Sequence, residues 1–203
     1  VTNNGTGTVT VTGVDDGATV TTSGPVTLAN PAGNLTLAGD GTNTVTGPVD
    51  GATVANNGTG TTTVNGVTGT LNTAGTGSTD IHAPADGSVI TDTGSGQLSV
   101  TDPVGNLTVN NGGDGTATVT GAAPGSTVTT SGPVTLANPD GDLTLAGDGT
   151  NTVTGPVDGA HLTNNGTGTT TVNGVTGTLN TAGTGTTDVN GPADGTVITD
   201  TGS

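Results

Sequence analysis

The stretch Ala38–Ala52, AGDGTNTVTGPVDGA, returns letter for letter at Ala146–Ala160. Aligning the two copies gives an offset of 108 residues, and Thr21–Ser95 then overlies Thr129–Ser203 with ten differences in 75 positions. Repeats this long and this similar indicate an array in which each unit contacts mainly its neighbours. The sequence therefore predicts one continuous array rather than separate globular domains.

A shorter period lies inside the long one. Cutting the chain wherever NN, TT, AGD or NTAG begins gives rows of 17 to 19 residues, and six rows make up the 108-residue repeat. In this division residues 1–95 match residues 109–203. Roughly eleven rows fit into the chain. We therefore expect residues 1–203 to form a single stack of short coils.

Each row contains two runs in which apolar or small residues alternate with polar ones, as in Val9 and Val11 and then Ala18 and Val20. A period of two is typical of a half-buried β-strand. Gly and Pro recur every few residues and Thr and Val are abundant, which disfavours helix. Turn sequences such as NPAG, GPVDG and APADG separate the runs. The pattern predicts two strands per row and no helix.

A row of two short strands cannot bury its own apolar residues, but rows stacked about 4.8 Å apart pair each strand with its counterparts above and below. The predicted fold is an all-β parallel β-solenoid with about 18 residues per coil. We expect two sheets facing each other across a thin core, with a three-sided coil as the alternative. The small residues expected to oppose Val, Leu and Ile in this core are Ala18, Ala52, Ser88, Ser126 and Ala160.

Composition alone favours disorder, because only 38 of 203 residues are Val, Leu or Ile and the chain has 40 Gly and 10 Pro. The regular spacing of these residues instead favours ordered strands separated by turns. The chain has no Lys or Arg and a formal net charge of -16. Such a surface repels phosphate backbones and anionic lipid, so we expect no nucleic-acid partner. No apolar run is long enough for membrane insertion as a helix.

Three motifs carry a resemblance to known proteins: GTGTVTVTG at Gly5–Gly13, NNGTGTTTVNG at Asn56–Gly66 and again at Asn164–Gly174, and VTGPVDGA. Through them the chain resembles the β-solenoid stalks of large bacterial surface adhesins and repetitive extracellular filament proteins. The resemblance implies a secreted, structural and elongated protein at the cell surface. We expect a non-enzymatic role, with the chain itself as a head-to-tail partner through the open ends of the sheets.

The acidic residues are the candidate metal ligands. GGDG at Gly112–Gly115 and GDG at Gly39–Gly41 and Gly147–Gly149 resemble calcium-binding repeats-in-toxin sequences, but the second acid of that motif is replaced by Thr or Ala. No other cofactor is expected. Two triplets of Asp spaced six residues apart are weak calcium candidates if they converge on one edge, and the alternative is solvated turn residues. These are Asp80, Asp86, Asp92, Asp188, Asp194 and Asp200.

Ser78, Asp80 and His82 alternate in the manner of residues on one face of a strand. Their types suggest a hydrolase triad, but alternate residues of a strand lie about 7 Å apart, too far for a nucleophile and its base. The second copy reads Thr186, Asp188, Asn190 and lacks a base. The sequence therefore predicts no catalytic residues.

Outward threonines, as in Thr8-Val9-Thr10 and Thr61–Thr63, give a second alternative. Stacked flat rows of Thr resemble those of β-solenoid ice-binding proteins, whereas Thr is also simply a favourable residue for the exposed face of a sheet. A flat, unbroken threonine array on one sheet would distinguish an ice- or surface-binding protein from a structural solenoid whose threonines only cover the exposed face. Candidate acceptors for covalently attached glycans, in the Asn-x-Thr pattern, are Asn4, Asn34, Asn57, Asn106 and Asn165.

Overall fold

The computed structural model describes residues 2–4, 6–13, 15–22, 24–29, 35–38, 41–123, 125–137, 143–147, 149–154, 160–164 and 167–202. Within these residues the chain forms 23 β-strands, numbered β1 to β23 in chain order, and no helix. In this part of the chain there is accordingly no helix long and apolar enough to cross a membrane. The prediction of an all-β parallel β-solenoid is confirmed.

The odd-numbered strands form one twelve-stranded sheet, called the odd sheet below, in which each strand pairs in parallel with the next odd strand. Its strands are β1 (Thr2–Asn3), β3 (Ala18–Thr22), β5 (Leu35–Ala38), β7 (Ala52–Asn56), β9 (Thr70–Gly75), β11 (Ser88–Asp92), β13 (Leu107–Asn111), β15 (Ser126–Ser131), β17 (Leu143–Gly147), β19 (Ala160–Asn164), β21 (Thr178–Gly183) and β23 (Val197–Asp200).

The even-numbered strands form an eleven-stranded sheet, the even sheet, with the same parallel order. The chain therefore alternates between two sheets, which is the two-sheet geometry rather than the three-sided one. The strands are β2 (Val9–Thr12), β4 (Val26–Ala29), β6 (Asn43–Val49), β8 (Thr61–Val67), β10 (Ser78–His82), β12 (Gln97–Thr101), β14 (Thr116–Thr120), β16 (Val134–Ala137), β18 (Asn151–Thr154), β20 (Thr169–Asn173) and β22 (Thr186–Asn190).

The solenoid has about nine turns of about 19 residues. The sequence predicts roughly eleven coils of mean length 18, so the predicted number is slightly too high. The outermost strands of each sheet have a neighbour on one side only, which leaves ten odd strands and nine even strands paired on both sides. Most residues paired between levels are 17, 19 or 21 positions apart, as from Val9 to Val26, from Thr79 to Leu98 and from Leu107 to Val128.

The core lies between the sheets and consists of the inward residues of both. Because side chains alternate along a strand, buried and half-buried positions alternate, as in the Ser-Val-Ile-Thr-Asp of β11. Ala52, Ser88 and Ser126 are buried as predicted, and Ala18 is half-buried. The Ser88 hydroxyl donates to the Ala85 carbonyl oxygen at 2.7 Å, so this small polar residue is satisfied by its own turn. The side chain of Ala160 lies outside the described part.

Residues in the left-handed region lie at or just after the ends of several strands of the even sheet and turn the chain toward the odd sheet. Gly66 and Gly174, at equivalent positions of the two repeats, have φ of +83° and +82°. Ala83 adopts φ +46° where the second repeat has Gly191 at φ +56°. Glycine reaches this region without steric cost, whereas alanine is strained there, so Gly191 suits this turn better than Ala83 does.

Candidate functional site

A buried polar side chain stands where each of several odd strands turns toward the next even strand. Each of these residues is followed by Gly two positions later. In most cases Gly also occupies the fourth position, as in DTGSG at Asp92–Gly96. We call this row the polar corner. Its buried members are Asn3, Asn56, Thr73, Asp92, Asn111, Thr130, Asn164 and Thr181.

The asparagines of the polar corner connect one level of the solenoid to the next. The Asn56 Nδ2 donates to the Gly60 carbonyl oxygen in its own turn and to the Ser78 carbonyl oxygen in the next level, each at 2.9 Å. One amide group thus satisfies two backbone oxygens that the turn would otherwise leave without a donor. The same two donations, to the residues four and 22 positions later, are made by Asn3, Asn111 and Asn164.

Replacing Asn56 by aspartate is expected to lower the free energy of unfolding by about 2 kcal/mol, because the carbonyl oxygens of Gly60 and Ser78 lose their donor and face a carboxylate instead. The matched control is Asn57→Asp, which makes the same charge change at the exposed neighbouring residue. Urea unfolding followed by circular dichroism measures both variants. Equal losses for the two variants would show that the buried amide has no special role.

At two positions of the polar corner the residue is Asp, and a threonine of the preceding level donates a hydrogen bond to its carboxylate. The Thr73 hydroxyl donates to Asp92 Oδ1 at 2.9 Å, and the Gly94 N–H donates to the same oxygen at 3.1 Å. The second repeat forms the same arrangement from Thr181, Gly202 and Asp200. There the Gly202 N–H and, secondly, the Thr181 hydroxyl lower the pKa of the exposed Asp200 carboxyl against a small opposing effect of desolvation.

The turns on the opposite edge use carboxylates to hold the backbone of the level above. Asp86 Oδ1 accepts the Asn106 N–H at 2.7 Å, and Asn106 Oδ1 in turn accepts the Thr127 N–H at 2.9 Å. Asp50 Oδ1 accepts the Thr70 N–H at 2.8 Å. These turn residues are therefore exposed to solvent and also connect successive levels.

The six-residue spacing of the candidate calcium ligands does not bring them to one edge. Asp80 and Asp188 lie on the outer face of the even sheet, Asp86 and Asp194 on exposed turns, and Asp92 and Asp200 at the polar corner, so each triplet is divided among three places. Among the described residues no group of three or more His, Cys, Asp or Glu is arranged to hold a metal ion. Binding by a single one of them stays a prediction.

The motifs that resemble repeats-in-toxin sequences are described only in part. Asp114 of the GGDG motif is exposed. Gly39, Asp40 and Asp148 of the two GDG motifs lie outside the described residues. Of the candidate glycan acceptors, Asn4, Asn57 and Asn106 are exposed, whereas Asn34 and Asn165 are not among the described residues.

Ser78, Asp80 and His82 all lie on the outward face of β10, as their spacing predicts. The in-register neighbours of Asp80 are Thr63 and Ser99, and His82 lies exposed at the end of the strand. These residues therefore continue the polar outer face of the even sheet. The side chain of the second histidine, His161, is outside the described part.

The outer face of the even sheet carries a central row of residues in register, which we call the threonine row. It contains two runs of threonine separated by Asp80 and Ser99, and it is followed by Asp188 at the last strand. Its members from β4 onward are Thr27, Thr44, Thr63, Asp80, Ser99, Thr118, Thr135, Thr152, Thr171 and Asp188. The row is thus interrupted by Asp80 and Ser99 and ends in a second carboxylate, so it is not the unbroken threonine array that would distinguish an ice- or surface-binding protein.

Comparison with known proteins found no matching family model, no matching curated protein and no matching solved structure.

Proposed function

We propose that this chain is a structural, non-enzymatic rod that serves as a stalk or filament segment outside the cell. The observation that carries the proposal is the continuity of the two parallel sheets, which run in register through the described part of the chain. In such a stack every strand is held by backbone hydrogen bonds to its neighbours along the axis. Pulling or bending the rod therefore loads many bonds at once, which is the property a spacer requires.

The composition suits an exposed position. The formal charge of -16 with no Lys or Arg makes the lateral faces repel one another. Such repulsion limits side-by-side association, which a protein rich in β-strands otherwise risks. The chain also lacks the Lys, Arg and aromatic residues after which trypsin and chymotrypsin cleave. These features support an extracellular location at the cell surface.

The proposed partner is a further repeat unit or a second copy of the chain, stacked head to tail. The edge strand β23 carries two of the exposed large apolar residues of the described chain, Val197 and Ile198. Their counterparts in the first repeat are Val89 and Ile90, which lie half-buried and buried between β9 and β13. Adding another level to β23 would bury the same side chains and pair the free strand edge.

Inserting one further 108-residue repeat tests the spacer role. The account expects the rod to lengthen by about 29 Å, six levels of about 4.8 Å each, without widening. Small-angle X-ray scattering of the original and extended chains measures the maximum dimension and the cross-section. Sedimentation at increasing concentration measures head-to-tail association separately. Growth in the cross-section instead of in the length would contradict a rod that elongates with repeat number.

The threonine row supports a second candidate, an ice- or surface-binding face. Its two threonine runs are regular, but Asp80 and Asp188 place charge in the same row. Ice adsorption of the chain, compared with a Thr118→Tyr variant that makes the face uneven, tests this candidate. Adsorption that the substitution abolishes would favour it over the structural role, and absence of adsorption would exclude it.

A further inference from the structure

We propose that Asp92 and Asn111, adjacent at the polar corner, bind one hard cation, for which Ca²⁺ is the suitable probe. The proposal does not depend on the stalk role, since it concerns one level of the solenoid. Asp92 and Asn111 are paired in register on β11 and β13. They are 5% and 3% exposed, respectively. Two oxygen-bearing side chains thus occupy the same inward position on neighbouring strands.

The amide oxygen of Asn111 is the observation that points to a ligand. The Asn111 Nδ2 donates to the carbonyl oxygens of Gly115 at 3.2 Å and Pro133 at 2.8 Å, which fixes the orientation of the amide. Pro133 leads into the level above, and on the other side the in-register neighbour of Asn111 is Asp92. This Oδ1 is buried and has no hydrogen-bond partner within the described residues.

The comparison with Asn56 shows what is different at this level. Asn56 Oδ1 accepts the N–H of Gly58, two residues later, at 3.4 Å. The residue in register below Asn56 is the apolar Leu37. Below Asn111 the corresponding neighbour is the carboxylate of Asp92. An unsatisfied amide oxygen next to a carboxylate is an arrangement that a cation, rather than another acceptor, stabilises.

The chain has no Lys or Arg that could compensate the negative charge of Asp92. Asp92 Oδ1 accepts hydrogen bonds from the Thr73 hydroxyl and from the Gly94 N–H. Both bonds stabilise negative charge on the carboxylate. A buried carboxylate is ordinarily paired with a cationic side chain or bound to a metal, and this chain has no Lys or Arg. The compensating cation must therefore come from solution.

The spacing and access also suit a hard cation. Side chains at the same position of neighbouring strands stand about 4.8 Å apart, and calcium bonds to oxygen are about 2.3–2.6 Å long, so one ion reaches both residues. The residues that follow Asp92 and Asn111 in the chain, among them Thr93, Gly94, Gly113 and Asp114, line a groove open to solvent. With a single buried carboxylate, we expect weak binding, with a Kd on the order of 10⁻⁴–10⁻³ M.

Calcium titration by calorimetry, in choline chloride so that Na⁺ does not compete, tests the site. We expect one equivalent to bind to the full chain and the Asp92→Asn variant to lose that equivalent. The matched control is Asp200→Asn, which makes the same substitution in the second repeat, where Thr181 and Gly202 donate to the carboxylate. Asp200 is exposed and, within the described residues, has no strand above it. This control is expected to keep the equivalent.

A second measurement keeps the proposal testable if Asp92→Asn fails to fold. Carbon-13 spectra of the unaltered chain resolve the Asp92 carboxyl resonance, which is expected to shift on adding Ca²⁺ in parallel with the Asn111 side-chain amide. Unchanged binding in Asp92→Asn, or a stationary Asp92 resonance, would overturn the proposal.

Discussion

Replacing Gly96 by alanine is expected to lower the free energy of unfolding by about 3 kcal/mol. Gly96 is the fifth residue of the DTGSG turn at the polar corner, and a Cβ there would overlap the carbonyl oxygen of Gly77 in the level below. The obstructing atom belongs to the backbone and cannot move aside as a flexible side chain would. The two levels must therefore separate locally, which weakens the ladder on both sides of the turn.

The matched control for this substitution is Gly7→Ala. Gly7 is the fifth residue of the equivalent NNGTG turn, and a Cβ added to it meets no atom within 4 Å. We expect this variant to be as stable as the original chain or more stable by about 0.5 kcal/mol, because alanine reduces the conformational entropy of the unfolded chain. Urea unfolding followed by circular dichroism suits a chain without aromatic residues. Similar losses for both variants would contradict close stacking at the corner.

Replacing Ile90 by alanine is expected to cost about 2–5 kcal/mol of unfolding free energy, through lost burial and the cavity that remains. Ile90 is 0% exposed and lies on β11 between strands on both sides. The 108-residue repeat supplies an internal control, because Ile198 occupies the same position on the edge strand β23 and is 43% exposed. Ile198→Ala is therefore expected to cost less than about 1 kcal/mol.

Denaturant unfolding of the two isoleucine variants under the same conditions measures the difference. If the two substitutions cost the same, the levels around β11 would not be packed more tightly than the edge, and the continuous core would be refuted. A larger loss for Ile198 than for Ile90 would require a further level or a second copy to cover β23. Sedimentation at the same concentrations distinguishes that result from a packing effect.

The architecture could be predicted from the sequence because one physical constraint governs it. Each row has two alternating runs and two turns, and only stacking of rows buries the apolar half of both runs. Val9, Val11 and Val20 already show this pattern, and the same alternation recurs in the later rows. The number of turns was less well predicted. It depends on how much chain each turn takes up, and turn lengths are less regular than the alternation within strands.

The polar corner was not predicted, although the sequence contains its signal. The row starts NN and NTAG mark the period in the sequence, but the period alone does not indicate that their polar side chains are buried. Polar side chains such as Asn56 are buried because their donors complete the hydrogen bonds of two adjacent turns. The combination of a polar residue with Gly at the second and fourth following positions would have identified them.

The acidic residues show why spacing along the chain does not define a site. Asp80, Asp86 and Asp92 are evenly spaced in sequence, but a strand, a turn and a second strand carry them to different faces. The residue that Asp92 does meet, Asn111, lies nearly twenty positions away and becomes its neighbour through strand register. Sequence proximity is informative within a strand, whereas proximity between levels requires the pairing.

Distances between spin labels on the threonine row test the central claim, two parallel sheets stacked in register, most directly. The chain has no native cysteine, so a spin label reacts only with cysteines that are introduced. One variant carries them at Thr27 and Thr118, and a second variant carries them at Thr27 and Thr171. The pairs are separated by five and eight levels, so pulsed electron resonance should give narrow distributions near about 24 Å and about 38 Å. Broad distributions, or equal distances for the two pairs, would contradict the solenoid.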